Sequence, residues 1–584
     1  MSANGIAQVV FYLVVLTALT PPLGAYMARV FEGRRVPGLS RVLGPVERGS
    51  LRVLRVDPER QQSWRAYSAA VLAFSVASFA VLYAILRLQG HLPLNPAGYP
   101  GMSWNVAFNT AASFVTNTNW QYYGGESTLS YLSQTVGLTV QNFVSAAVGM
   151  AVLAAVIRGF ARRGTGELGN FWADLVRITL YILLPLAIVV TLVLGSQGVM
   201  QTFSDPVSYR TLEARTLGTT DDAGQPQAQS IYRGAVASQV AIKQLGTNGG
   251  GYYNANSAVP LENPTAVTNF VEVLLILLIP AALTYTFGVM VGSRGQGWTL
   301  FATMMVLLVI GLGVALPFEQ SGSQVLKQTG VELSATHDST GGNMSDKEQR
   351  FGVANSVLWG VSTTAASNGS VNSGLDAWTG GAAVVPLTLM GMGEVVFGGV
   401  GSGMYGMLLY VLIAVFVAGL MVGRTPEYLG RRIEAREIKL AMVGVLVMPV
   451  GVLVMLAAAM VTQDGLASVF NAGPQGFAEG FYAYNSQFNN NGSAFAGYGA
   501  TEFSTALGGV AMLFGRFVPI LAVMAIAGAL ATKRMAPVTA GTLRTTTPTF
   551  VVMLLFVILL VAALTFVPAL VLGPVATQLS GIVP

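Results

Sequence analysis

Cysteine is missing from all 584 residues, which removes disulfides and thiolate metal sites from consideration. Charge is scarce as well. Only 10% of the side chains are charged, against roughly 25% in a soluble globular domain, while 53% are apolar. That composition excludes a water-facing surface over most of the chain. Because the apolar residues run its whole length, one membrane domain is expected rather than several soluble ones. Histidine is nearly absent too, and His91 and His337 stand far apart in polar stretches, so neither is expected to hold a metal. The net charge of +5 is not gathered into one run. Its Lys and Arg lie beside apolar segments, which favours membrane-topology signals over a nucleic-acid surface. The first apolar run lacks a basic n-region, contains Pro21 and Pro22, and is followed by Arg29, Arg34 and Arg35. Those flanks predict an inserted first helix rather than a cleaved signal peptide.

A bilayer-spanning helix needs about 20 mostly apolar residues. Ten stretches reach or approach that length, near 6–27, 67–86, 136–157, 178–194, 270–291, 298–316, 382–422, 440–461, 507–531 and 550–572. The seventh is too long for one plain helix. It holds Gly391, Gly393, Glu394, Gly398, Gly399, Gly401 and Gly403, which predicts a broken helix or re-entrant loop packed against protein or a wet cavity. Loops between spans 1 and 2, 3 and 4, 5 and 6, 7 and 8, and 9 and 10 carry 22 of the 31 basic residues, whereas 91–136 has neither Lys nor Arg. The basic loops are therefore expected in the cytoplasm and both chain ends outside.

The outer connections contain a fourfold pattern. Segments 104–121 (WNVAFNTAASFVTNTNWQ), 239–252 (QVAIKQLGTNGGGY), 355–369 (NSVLWGVSTTAASNG) and 481–493 (FYAYNSQFNNNGS) each join a half-length apolar run to a polar Asn/Gly/Ser/Thr stretch. Alignment of Asn119, Gly249, Gly369 and Gly492 gives separations of 130, 120 and 123 residues (249−119, 369−249, 492−369). One such loop alone reads as an ordinary outer turn; four in register read as an internal repeat. The predicted fold is an all-α integral membrane protein of ten transmembrane helices. It has four pseudo-symmetric repeats of helix, pore helix, filter and helix around one pore, and one extra helix at each end. The expected units are 1–65 (first helix and basic loop), 66–163, 164–293, 294–430 and 431–535 (repeats one to four, the third with the broken helix), and 536–584 (last helix).

Irregular backbone at membrane depth leaves carbonyls without partners unless it lines a cavity that holds water or ions. Four loops converging on an axis offer rings of carbonyl oxygens that replace the hydration shell of a monovalent cation, above all potassium. Half-helices aiming their negative C-terminal ends at the centre favour the same charge. Glycine permits the backbone turns required, and Thr, Ser and Asn can tie each loop to its surroundings. Asn119 takes the glycine position in repeat one, so the ring is expected to be only pseudo-symmetric.

Charges inside the membrane are costly unless paired or facing a cavity. Glu394, with Gly398 and Gly399 in the broken seventh span, is a candidate gating element beneath the filter, and Arg516 in the ninth span a candidate barrier against cation leak. A structural pair between the two is the competing reading. Glu272, at the start of the fifth span, is expected at the interface, and Arg424 as a topology charge whose stem lies along the membrane.

Several of these segments carry a long resemblance. TNTNWQ at 116–121, GTNGGGYYNANSAVP at 246–260, ENPTAVTNF at 262–270, TTAAS at 363–367, GEVVFGGVGSG at 393–403, GRTPEYLG at 423–430 and NNNGSAFAG at 489–497 cover all four repeats. Here the chain resembles the potassium-translocating subunits (KdpA) of the bacterial Kdp potassium-transporting ATPases, within the superfamily of potassium transporters. The resemblance implies a filter built from backbone groups of Asn117, Thr118 and Asn119; Thr247, Asn248 and Gly249; Ser367, Asn368 and Gly369; and Asn490, Asn491 and Gly492, with Gln121 at its entrance. The family often has Cys where Asn368 stands and paired Phe where Tyr252 and Tyr253 stand, departures that bear on fine affinity. It further implies high-affinity potassium uptake across the bacterial inner membrane, with K+ as the transported ion. The partners it implies are a P-type ATPase (KdpB), a single-span protein (KdpC) and a further small one (KdpF). The chain has neither a GxxxxGK[ST] segment nor a DKTG motif, so it is expected to hold no ATP site and to leave hydrolysis to a partner. The alternative is a Trk/Ktr-type transporter, which uses a similar four-repeat filter without an ATPase.

Overall fold

A computed structural model of the chain describes residues 3–210, 228–322, 324–336, 339–423, 425–534 and 543–580. His337 and Arg424 lie outside the described residues. Among those described, ten helices are long and apolar enough to cross a membrane. In order they are Ala3–Phe31, Trp64–His91, Ser133–Ala161, Phe171–Ser196, Ala266–Met290, Arg294–Gln328, Ser402–Met421, Ala435–Met460, Glu502–Thr532 and Pro548–Ser580, hereafter spans 1 to 10. The long seventh stretch is broken, as its glycines predict. A short helix, Gly380–Gly391, is joined to span 7 by the non-helical connector 392–401.

Five spans begin on a side chain that takes up otherwise orphaned N–H groups: Ser63, Asn170, Thr265, Thr501 and Thr547 cap spans 2, 4, 5, 9 and 10. Spans 3 and 5 are nearly enclosed by protein, whereas spans 1, 2, 8 and 10 turn most of their apolar side chains outward. Span 1 lies along span 5, and Thr286 donates to the Gly24 carbonyl at 2.9 Å across that contact. A buried bidentate pair, Arg158 with Asp174 at 2.6 and 2.8 Å, joins spans 3 and 4. Tyr67 of span 2 donates to the same Asp174 oxygen at 2.9 Å, and Arg158 reaches the Phe31 carbonyl of span 1 at 2.6 Å. The geometry leaves none of these charges unpaired, which is the condition for keeping them at membrane depth.

Four half-helices, Trp104–Val115, Val236–Leu245, Gly352–Ala365 and Gly473–Asn489, enter the helical assembly without crossing it. Each ends in one of the repeat loops, so four helix C-termini meet at the centre. Two short antiparallel ribbons, Val207–Arg210 with Ala228–Ile231 and Glu427–Tyr428 with Arg431–Arg432, lie outside the spans.

Glu272 departs from its expected interfacial place. It is wholly buried, accepting hydrogen bonds from Ser257 at 2.7 Å and Gln244 at 3.1 Å. Half-helix 2 and the loop 246–265 cover the start of span 5, so this end of the span never reaches an interface.

Candidate cation-binding site

Each half-helix uses its last turn to hold the loop that follows. The carbonyl of Ser113 accepts from Thr118 N at 2.8 Å and Asn119 N at 3.3 Å, and that of Lys243 from Asn248 N at 2.9 Å and Gly249 N at 3.1 Å. Thr363 takes Asn368 N on its carbonyl at 3.1 Å and Gly369 N on its hydroxyl at 2.9 Å. Ser486 does the same for Asn491 N at 2.8 Å and Gly492 N at 3.0 Å. Ser113, Lys243, Thr363 and Ser486 stand at equivalent places in the repeat. In every loop the N–H groups are thus turned outward.

The backbone alternates in hand. Asn117, Thr247, Ser367 and Asn490 have φ of +66°, +47°, +56° and +62°, and Asn119, Gly249, Gly369 and Gly492 have +56°, +71°, +90° and +97°; the residue between has ordinary negative φ. Alternation of left- and right-handed residues puts N–H groups on one side of a strand and carbonyls on the other. Five of these left-handed residues are not glycine, a strain that persists only where surroundings enforce it.

The loops close a ring. Asn117 Nδ2 donates to the Thr247 carbonyl at 2.9 Å and Asn119 Nδ2 to that of Gly249 at 3.1 Å, joining loops 1 and 2. Asn368 Nδ2 donates to the Lys243 carbonyl at 3.2 Å, Asn491 Nδ2 to that of Thr363 at 3.0 Å, and Asn490 Nδ2 to the Thr118 hydroxyl at 3.0 Å. A Cβ added at Gly249, Gly369 or Gly492 would overlap the carbonyl oxygen of Asn368, Asn491 or Thr118 respectively. In repeat one, Asn119 instead turns its amide between Asn142 Oδ1 at 2.8 Å and Gly249, which is how the ring tolerates a side chain there.

Thr118, Asn248, Asn368 and Asn491 have no exposed surface, and among the described residues no group donates a hydrogen bond to any of their four carbonyls. Buried carbonyls are seldom left unpaired. Here one falls at the same position of all four loops, at the C-terminal ends of four half-helices. A dehydrated cation satisfies such a ring, and the half-helix dipoles favour its charge.

Space opens on either side. On the side of the loop ends, a cavity of about 800 Å³ is bounded by Asn119, Gly250, Gly369 and Gly492, with Gln121, Asp346 and Asp376 in its wall. Gln121 spans loops 1 and 2, donating to the Gly251 carbonyl at 3.1 Å and accepting from Gly251 N at 2.9 Å. Burial, with the nearby Asp346 charge adding to it, raises the Asp376 carboxyl above the usual aspartate range. On the opposite side, next to the connector 392–401, lies a cavity of about 50 Å³ lined by Glu394, Tyr405, Asn490 and Arg516, large enough for a few waters.

The connector 392–401 sits directly under the loops. Val400 N donates to the Thr247 hydroxyl at 2.9 Å, Gly398 N to the Ala365 carbonyl at 3.1 Å, and Asn491 Nδ2 to Glu394 Oε1 at 2.6 Å. Gly399 approaches both Ser367 and Thr247. Glu394 and Arg516 line the same cavity without forming an ion pair. Both are buried, Glu394 keeps one oxygen without a partner, and Arg516 makes no hydrogen bond among the described residues. The geometry therefore does not support reading them as a structural pair.

The family model described as "Potassium-transporting ATPase A subunit" (KdpA) matches residues 10–579. The chain belongs to the KdpA family. Curated KdpA relatives named "Potassium-transporting ATPase potassium-binding subunit" include one from Sorangium cellulosum, 55% identical over 583 residues, and one from Herpetosiphon aurantiacus, 53% identical over 580 residues. In both cases 99% of each chain is covered. Among solved structures, the potassium transporter TrkH from Vibrio parahaemolyticus superposes with a TM-score of 0.50 at 16% identity, over 89% of this chain and 96% of that one. At that identity the likeness is one of fold. In this KdpA chain Asn368 turns its side chain away from the ring, toward Lys243, Ser370 and Thr363. Tyr252 and Tyr253 fix the outer loop by donating to the Arg233 and Tyr232 carbonyls at 3.2 and 2.7 Å.

Proposed function

We propose that this chain is the potassium-binding and potassium-translocating subunit of an ATP-driven uptake system in a bacterial inner membrane. The ring of four unpaired buried carbonyls, at Thr118, Asn248, Asn368 and Asn491, carries the reading. Backbone groups of Asn117–Asn119, Thr247–Gly249, Ser367–Gly369 and Asn490–Gly492 form the filter, entered past Gln121, and each of the repeats 66–163, 164–293, 294–430 and 431–535 supplies one quarter. Both chain ends lie outside and the arginine-rich loops in the cytoplasm, in keeping with the distribution of basic residues. The chain leaves ATP hydrolysis to a P-type ATPase partner, KdpB, accompanied by KdpC and KdpF.

The test is potassium-dependent thermal stabilisation of the purified chain, together with co-purification of a P-type ATPase. Stabilisation by potassium well above that by sodium is expected. Equal response to both ions overturns the filter, and recovery with a soluble nucleotide-binding ring in place of the ATPase overturns the choice over a Trk/Ktr-type transporter.

Two consequences concern the cavities. Arg516 places a fixed positive charge beneath the ring with no anionic partner in contact, so it opposes passage of a cation straight to the cytoplasm. In Arg516→Ala, ATP turnover is expected to continue while potassium accumulation falls, read as loss of the ratio of uptake to hydrolysis in vesicles; an unchanged ratio removes the barrier role. In the outer cavity, Asp376 attracts cations only when ionised. Its raised pKa means that a falling pH neutralises it before an ordinary aspartate, so the potassium concentration for half-maximal uptake should rise in a step above the usual aspartate range. Asp376→Asn should raise that concentration at neutral pH and abolish the step. A step that survives the substitution assigns it to another group.

A further inference from the structure

The loop between spans 1 and 2 contains a helix, Leu39–Val53, with three distinct faces. Leu43, Gly44 and Leu51 turn inward against the spans. Val42, Val46 and Val53, spaced i, i+4, i+11 on one stripe, are 70%, 48% and 83% exposed. Arg41, Arg48 and Arg52, spaced i, i+7, i+11, form the neighbouring face, all exposed. An exposed apolar stripe flanked by an arginine row, on a helix that follows directly from a membrane span, is the pattern of a helix lying in the bilayer interface.

Between this helix and spans 1 and 4 lies a cavity of about 480 Å³. Its wall carries Arg34, Arg35, Arg41, Arg48 and Arg177 against a single acid, Glu47. That acid is already engaged: Arg177 donates to it at 2.8 Å and the Tyr181 hydroxyl at 2.8 Å. Arg34 is paired with Glu32 at 2.8 Å. Arg35, Arg41 and Arg48 have no ion-pair or hydrogen-bond partner for their guanidinium groups among the described residues. Three unneutralised guanidinium groups at the mouth of a cavity call for an anion with several acceptor oxygens, and the adjoining apolar stripe calls for hydrocarbon.

We propose that this cavity binds the phosphodiester headgroup of an anionic phospholipid of the cytoplasmic leaflet. Arg35, Arg41 and Arg48 hold the phosphate, and Val42, Val46 and Val53 lie among the acyl chains. The assignment rests on the membrane orientation proposed above, and it is independent of the carbonyl ring.

The test uses the full chain in neutral detergent with phosphatidylglycerol or phosphatidylcholine added, and native mass spectrometry to count retained lipid. Phosphatidylglycerol should be retained about tenfold better than phosphatidylcholine, and R35Q/R41Q/R48Q should lose that preference. The triple variant should keep its potassium-dependent stabilisation, which separates failure at this cavity from failure of the filter. V42S/V46S should weaken phosphatidylglycerol retention while leaving the arginines in place. Equal retention of the two lipids, or a preference that survives the triple arginine variant, overturns the proposal. Displacement of phosphatidylglycerol by millimolar inorganic phosphate, with V42S/V46S without effect, overturns it in favour of a free-anion site.

Discussion

Gly249→Asp is expected to lower potassium affinity by about tenfold or more and to relax discrimination against rubidium and sodium. Gly249 sits at φ +71°, where a side chain is strained, and its missing Cβ is the space occupied by the Asn368 carbonyl oxygen. Any side chain there must push that carbonyl off the axis or shift loop 3. A displacement of either kind changes the size of the ring proposed above to replace the hydration shell of potassium. Aspartate adds a carboxylate among the carbonyls, which attracts cations of any size and so erodes the distinction among them. The measurement is ion-stimulated ATPase activity of the reconstituted complex over potassium, rubidium and sodium. Gly249→Ala should shift the same curve in the same direction by less, because the overlap with Asn368 remains while the charge does not. Unchanged ion dependence in both variants would falsify the placement of Gly249 in the filter.

Much of this geometry is legible in the amino-acid order alone, for physical reasons that particular residues make plain. Hydropathy finds the spans because lipid imposes length and composition together, and glycines at 391, 393, 398, 399, 401 and 403 give away the break in the seventh. The repeat separations of 130, 120 and 123 residues recur at Ser113, Lys243, Thr363 and Ser486, which anchor the N–H groups. Yet three residue types fill those four places, since a backbone carbonyl does most of the work, and no composition signal marks them. Depth is the harder quantity. Glu272 looks interfacial because it opens an apolar run, but the chain folded over that end of span 5 comes from half-helix 2 and the loop after it, a long-range contact with no local trace. Docking of the connector 392–401 under three different loops is invisible for the same reason.

Lys243→Met is expected to destabilise the assembled chain by about 3–5 kcal/mol, the usual cost of leaving one partner of a buried ion pair alone. Lys243 and Glu262 form an ion pair with side chains 1% and 0% exposed. The pair is one link in a longer chain of contacts. Lys243 also donates to Ser257 at 3.2 Å, Ser257 to Glu272 at 2.7 Å, and Gln244 to Glu272 at 3.1 Å. Glu262 accepts from Tyr253 N at 2.8 Å, and Gln244 accepts from Ser370 at 2.9 Å. Half-helix 2, the loop beyond it, span 5 and loop 3 are thereby locked to the residue whose own carbonyl holds Asn248 and Gly249. Removing the ammonium strands two carboxylates with no cation among them. Lys243→Met/Glu262→Gln removes one of those carboxylates and should recover on the order of 1–3 kcal/mol relative to the sum of the single changes, measured by thermal unfolding in detergent. Because the network holds loop 2 from behind, the double variant should still bind potassium more weakly than the native chain after its stability is restored. Strictly additive losses would mean that the pair stabilises the fold without coupling. Full recovery of both stability and affinity would mean that the Lys243 carbonyl, which methionine retains, positions the filter without help from the ion pair.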